Sequence, residues 1–239
     1  MKKQPAGRHF PYQHPLFGTA ARPAPSSKWN KTVYFWWWAY LKRNAIYLLT
    51  CENGGDGPCA ALYRDFGDVR GDDFKAWWSE DGRGARLFAE PRAEDSVRVL
   101  EQGEEALNRD EALTISLPLN FPKKTLEAHV KRLLAVHHKG QRGKQYSKQS
   151  RARYKVQGQP NVPALALGLA VWDMRRECPD LALWEIGDRV PGLLRTQKIK
   201  PGDDYHDLTV KKRALAAVVS RYLKRVKASI CRTTSGIFP

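Results

Sequence analysis

Residues 209–230 read Thr-Val-Lys-Lys-Arg-Ala-Leu-Ala-Ala-Val-Val-Ser-Arg-Tyr-Leu-Lys-Arg-Val-Lys-Ala-Ser-Ile, and two kinds of side chain sort onto two faces of one helix. At 100° per residue, Leu215, Val218, Val219, Tyr222, Leu223, Val226 and Ile230 fall within an arc of roughly 140°. That arc must be buried to be stable in water. Opposite it lie Arg213, Ser220, Arg221, Lys224 and Lys227, accompanied by Ala216, Ala217 and Ala228. Long side chains on that face would hold the helix axis away from a partner, whereas alanines let the backbone approach while the flanking cations reach out. A solvated helix face ordinarily intersperses Glu with Lys for the weak pairing four residues apart. Residues 208–232 instead hold eight Lys and Arg and no acid.

Two further helices are expected upstream. The first runs over 162–177 on Leu165, Leu169, Val171 and Trp172, and stops before Pro179. The second is short, over 181–190, with Leu183, Trp184 and Ile186 facing inward. Between it and the basic helix, Pro191-Gly192 and Pro201-Gly202 mark a loop whose Lys198 and Lys200 are expected to touch phosphates. Residues 156–239 therefore read as a three-helix, nucleic-acid-binding domain. The preceding stretch, 139–155, holds seven basic residues and no acid among Gly, Gln and Ser, which is the profile of a linker. Its Arg142, Lys144, Lys148, Arg151 and Arg153 are candidate phosphate contacts.

Residues 29–138 read as an aromatic-rich α+β domain. A helix is expected over 31–50 and shorter ones near 60–65 and 73–79. Trp36, Trp37, Trp38, Trp77 and Trp78 serve as core rather than as a platform for bases, because tryptophan buries much area with few residues. The alternating run Ser96-Val97-Arg98-Val99-Leu100 and the run Leu113-Thr114-Ile115-Ser116-Leu117 predict a small antiparallel sheet. Pro122 then opens a helix carrying Leu126, Val130, Leu133 and Leu134 that ends near His138. Residues 1–28, with five prolines, read as an extended basic arm. The fold class expected is thus α+β, mostly helical.

The charge of +16 is segregated. Residues 1–50 carry eight Lys and Arg and no acid, 51–112 carry eight against sixteen acids, and 113–239 carry twenty-five against nine. Such an excess concentrates polyanions and releases their counterions on contact, the physical basis of sequence-independent nucleic-acid binding. No apolar run approaches the roughly 18 residues of a membrane span, and no secretory signal pattern is present, so a cytoplasmic protein without a membrane partner is expected. Four scattered cysteines suit free thiols, and the seven-residue gap between Cys51 and Cys59 is too long for a usual zinc site.

In the C-terminal part, Leu183-Trp184-Glu185-Ile186-Gly187-Asp188-Arg189-Val190 resembles the positioning helix of helix-turn-helix DNA-binding proteins, and Val219-Ser220-Arg221-Tyr222-Leu223-Lys224-Arg225 resembles their recognition helix. The resemblance implies that the first helix crosses a DNA backbone while the second enters the major groove. It covers the helices and not their junction, since the family's turn has three or four residues and here Pro191 to Leu208 intervene. Trp37-Trp38-Ala39-Tyr40-Leu41-Lys42-Arg43-Asn44 and Phe66-Gly67-Asp68-Val69 are similar to segments of proteins carried on bacterial integrating elements, which implies host-element regulation or replication as a setting.

Asp203-Asp204-Tyr205-His206-Asp207 is the strongest catalytic candidate, because clustered carboxylates with a histidine can hold Mg²⁺ or Mn²⁺ for phosphodiester hydrolysis. The same residues are what a turn and a helix cap require, and that reading is preferred. No nucleophile elbow, Walker loop, dinucleotide turn or zinc-protease helix is present. The expectation is a non-enzymatic, DNA-binding regulatory or accessory protein with no cofactor and no metal. Its N-terminal domain would serve a protein partner or a homodimer. The alternatives are an RNA-binding subunit of a ribonucleoprotein and a metal-dependent nuclease using Asp203, Asp204 and His206.

Overall fold

The computed structural model describes residues 10–90, 113–137 and 150–239, and every regular element within them is a helix. In chain order these are α1 (Ser26–Trp29), α2 (Val33–Leu41), α3 (Ala45–Glu52), α4 (Ala60–Phe66), α5 (Phe74–Ser79), α6 (Arg83–Phe88), α7 (Lys123–His137), α8 (Val162–Glu177), α9 (Leu183–Arg189) and α10 (Tyr205–Thr233).

The antiparallel sheet, and with it the α+β class, is overturned. Among the described residues β pairing is confined to two isolated bridges, Gly18 with Pro23 and Val156 with Phe238. Leu113 to Leu117 have no strand partner, and the other expected strand, 96–100, lies outside the described residues. Alternation of apolar and polar residues is satisfied by any extended ribbon with one side covered. Here Ile115 and Leu117 lie along Leu126 and Leu133 of α7 instead of along a second strand.

The helix expected over 31–50 is two helices. Asn44 has extended backbone angles, and its side chain accepts from the Tyr47 N–H at 3.1 Å, so it ends one helix and caps the next. Thr32 does the same at the start of α2, accepting from the Phe35 N–H. Asn44 also donates through Nδ2 to the Ile230 carbonyl at 2.7 Å, which fixes α3 against the far end of α10.

α2 is the centre of the molecule. Val33, Tyr34, Trp37, Trp38, Tyr40 and Leu41 are all buried, and α4, α5 and α6 surround them with Phe66, Phe74, Trp77, Leu87 and Phe88. Trp77 satisfies its indole N–H on the Phe66 carbonyl at 2.7 Å, and Tyr47 its hydroxyl on the Gly67 carbonyl at 2.8 Å. From Phe10 the N-terminal segment lies on this core: Phe10 packs on Tyr34 and Trp78, and Phe17 on Trp29 and Phe74.

The same core continues into the C-terminal helices, with Leu165 and Leu169 of α8, Val226 and Ile230 of α10, and Phe238. Tyr40 donates to the Leu165 carbonyl at 3.1 Å, and the Arg43 guanidinium forks onto Asp173 at 3.0 and 2.5 Å. A second, smaller cluster of Val171, Ile186, Val190, Leu193 and Val219 joins α8, α9 and α10. Burial of two lines of α10, one against each cluster, sets which of its sides is left to solvent. No helix among the described residues is long and apolar enough to cross a membrane.

Candidate nucleic-acid interface

α10 has 29 residues, so it is a rod of about 43 Å. It begins four residues before the expected start because Asp204 is its N-cap and accepts from the Asp207 N–H at 2.7 Å. Leu215, Val219, Val226, Ile230 and Thr233 are buried along one side. Arg213, Arg221, Lys224, Arg225, Lys227 and Arg232 are exposed along the other. After Asp207 no acid occurs on the helix.

The eight cations of α10 divide by what they touch. Lys211 pairs with Asp203, and Lys212 lies over the Trp184 ring at 4.4 Å, so both are directed back to the protein. The other six form no ion pair among the described residues. Ala217, Arg221, Lys224 and Ala228 follow one another at four-, three- and four-residue steps and are all exposed, which puts two cations between two small residues in a single stripe. Ser220 and Ala216 are half-buried at its margin. Fixed, uncompensated charges on a rigid helix keep the local potential high for an anion that can approach closely.

The loop before α10 is tightly held. The Lys198 ammonium donates to the carbonyls of Gly187 at 3.0 Å, Asp188, and Val190 at 3.1 Å, so it occupies the negative end of α9. The Ile199 N–H donates to Asp188 Oδ1 at 3.0 Å. α9 also approaches α10 through Gly187, where a Cβ would come within 3.0 Å of Leu215. The two helices thus pack directly although fifteen residues separate Arg189 from Tyr205.

Of the residues expected to contact phosphate, Arg213, Arg221, Lys224 and Lys227 share one exposed face and Ser220 borders it. Lys200 is exposed beside the start of α10, and its N–H donates to Asp203 at 2.7 Å. Lys198 is turned inward. Arg153 pairs with Asp65 at 2.7 Å, and Arg151 is exposed with its N–H donated to Glu90 at 2.7 Å, so both stand on the aromatic half of the molecule. Arg142, Lys144 and Lys148 lie outside the described residues. Two exposed cations escape the sequence reading. Arg225 sits at the edge of the face, and Arg232 lies beyond the expected end of the helix at 230; the acid-free run to the end of the chain was the available signal.

The Asp-rich cluster is committed to structure. Asp203 accepts from Lys211 and from the Lys200 N–H, and these contacts, the Lys211 one foremost, hold its carboxyl below the usual carboxylate range. Asp204 caps the helix, while Tyr205 and His206 are exposed. Among the described residues no three His, Cys, Asp or Glu side chains converge. Trp37, Trp38 and Trp77 are buried in the core, with Trp36 and Trp78 packed against it. No protein-family model, curated protein or solved structure matches this chain.

Proposed function

We propose that the protein binds duplex DNA without catalysis, through the exposed cationic face of α10, as a regulatory or accessory factor in the cytoplasm. The observation that carries the reading is the set of six exposed cations on one helix, none ion-paired among the described residues. Duplex DNA fits better than RNA for two reasons. A B-form major groove, about 12 Å wide, admits an α-helix, whereas the A-form major groove is deep and narrow. Unpaired bases are held by stacking on exposed aromatic rings, whereas Trp37, Trp38 and Trp77 are buried in the core with Trp36 and Trp78 packed against it.

The contact differs from that of a short recognition helix. There the first residues enter the groove; here the first turn carries Tyr205, His206 and Asp207, and the exposed cations begin at Arg213. α10 would therefore engage through its middle and C-terminal two-thirds, with Lys200 as an added phosphate contact. The likeness of residues 183–190 and 219–225 to helix-turn-helix proteins, and of the Trp37 segment to proteins of integrating elements, makes gene control on a mobile element the natural setting.

A salt series tests this. Six phosphate contacts from α10, with Lys200 as a seventh, give a slope of log affinity against log salt of about −6 for B-DNA. Replacing Arg221 and Lys224 together by Glu should remove binding with helicity unchanged. Undiminished affinity in that variant, or tighter binding to RNA than to duplex, sinks the proposal.

A further inference from the structure

Seven of the thirteen large apolar side chains exposed among the described residues lie between Leu113 and Val136, with Leu119 at 85% and Val136 at 78% exposure. α7 lies within that stretch and has no buried residue. Its pattern is nonetheless amphipathic, with Leu126, Val130, Leu133 and Leu134 within an arc of roughly 100°. The extended residues before it lie along the Leu126–Leu133 edge of this arc, and the two enclose an open groove of about 360 Å³ lined by Ile115, Leu117, Pro118, Leu126 and Leu133. His129 and Arg132 also line it. Lys123, Lys124, Lys131 and Arg132 are opposed by Glu127 alone within residues 113–137.

We propose that α7 and the strip 113–121 form a docking site for an acidic amphipathic helix of a partner protein. Apolar side chains at three- and four-residue spacing on the partner fill the groove, and its carboxylates meet Arg132, the cation that lines it. This is helix-in-groove recognition, read as apolar anchors with a charged border. Charge selects among the possible occupants. A second copy presenting the same face of α7 would set like charges against one another, which disfavours that pairing. A concave groove is filled by a side chain projecting from a helix, whereas a bilayer offers a flat apolar boundary to a convex face. An isolated 15-residue helix is marginal in water, so burial by a partner supplies the stability that α7 does not find in the described part of the chain. The inference is independent of the DNA contact on α10.

The test is hydrogen exchange on the full chain, read at the amides of residues 123–137. The probes are a synthetic helix with Leu at three- and four-residue spacing and Glu elsewhere, its Lys-for-Glu counterpart, and phosphatidylserine–phosphatidylcholine vesicles. The Glu peptide is expected to slow exchange at least about tenfold, equivalent to 1.4 kcal/mol, while the Lys peptide and the vesicles leave it unchanged. Leu133→Asp and Arg132→Glu should each abolish the slowing without altering exchange in α2 or α10. Four outcomes overturn the inference: slowing by vesicles, equal slowing by both peptides, protection that grows with protein concentration alone, or full protection in the free chain.

Discussion

Gly84 shows how little room the aromatic core leaves. A Cβ at this position would lie 2.1 Å from the Trp78 indole, which is itself stacked on Phe88 at 12° and 5.8 Å between ring centroids. The indole cannot swing away without undoing that stack. Gly84→Ala should therefore destabilise the protein by about 2 kcal/mol, the overpacking cost outweighing the better helix propensity of alanine. A chemical denaturation midpoint that stays put or rises would show that the core yields more than this geometry allows. At this scale the sequence was partly legible. Trp36, Trp37, Trp38, Trp77 and Trp78 announce a core, because few arrangements expose so much indole. Asn44 was not legible as a break, since the apolar spacing of Trp37, Tyr40, Leu41 and Tyr47 runs through it undisturbed. Only the side-chain bond to the Tyr47 N–H, made in three dimensions, decides for a cap.

Between elements, Lys198 and Lys224 look alike in sequence and differ in work. Lys198 closes the end of α9 by donating to three carbonyls; Lys224 is exposed on α10. Lys198→Met should raise hydrogen exchange across the α9–α10 loop yet leave the salt slope of DNA binding unchanged. Lys224→Glu should do the reverse, reducing the slope by about one and leaving loop exchange as it was. If the two substitutions affect the slope equally, Lys198 reaches phosphate after all and the division of roles fails. The basic helix was legible because its two faces differ in kind over five turns. The inward turn of Lys198 was not, since a loop lysine's partner is set by where the helix end happens to lie. Residues 113–117 mislead for a related reason: period two reports an extended backbone with one covered side, not what covers it.

Taken whole, the chain joins segments that local patterns treat apart. The linker-like composition of residues 139–155 marks a change in local pattern, but Trp37 and Tyr40 find Phe238, Leu165 and Val226 beyond it. Periodicity reports which side of an element is apolar and is silent on which distant element meets it. Heat or denaturant should therefore unfold α2, α8 and α10 in one transition, with tryptophan fluorescence and far-ultraviolet dichroism coincident. Tyr40→Ala should shift both signals together by about 3 kcal/mol; separated transitions would mean that the shared core does not couple the two halves.

The placement of the free cysteines supplies a chemical handle on the cationic face. Cys51 and Cys59 are buried, and burial pushes both thiols up, which keeps them in the unreactive form. Cys178 is half-buried, whereas Cys231 is exposed one turn beyond Lys227 on the solvent side of α10. A maleimide should thus modify Cys231 first, and a label there sits about 10 Å along the axis from Lys224. Bound duplex should slow that alkylation while leaving Cys178 unaffected, making one native sulfur a footprinting reporter for the proposed interface.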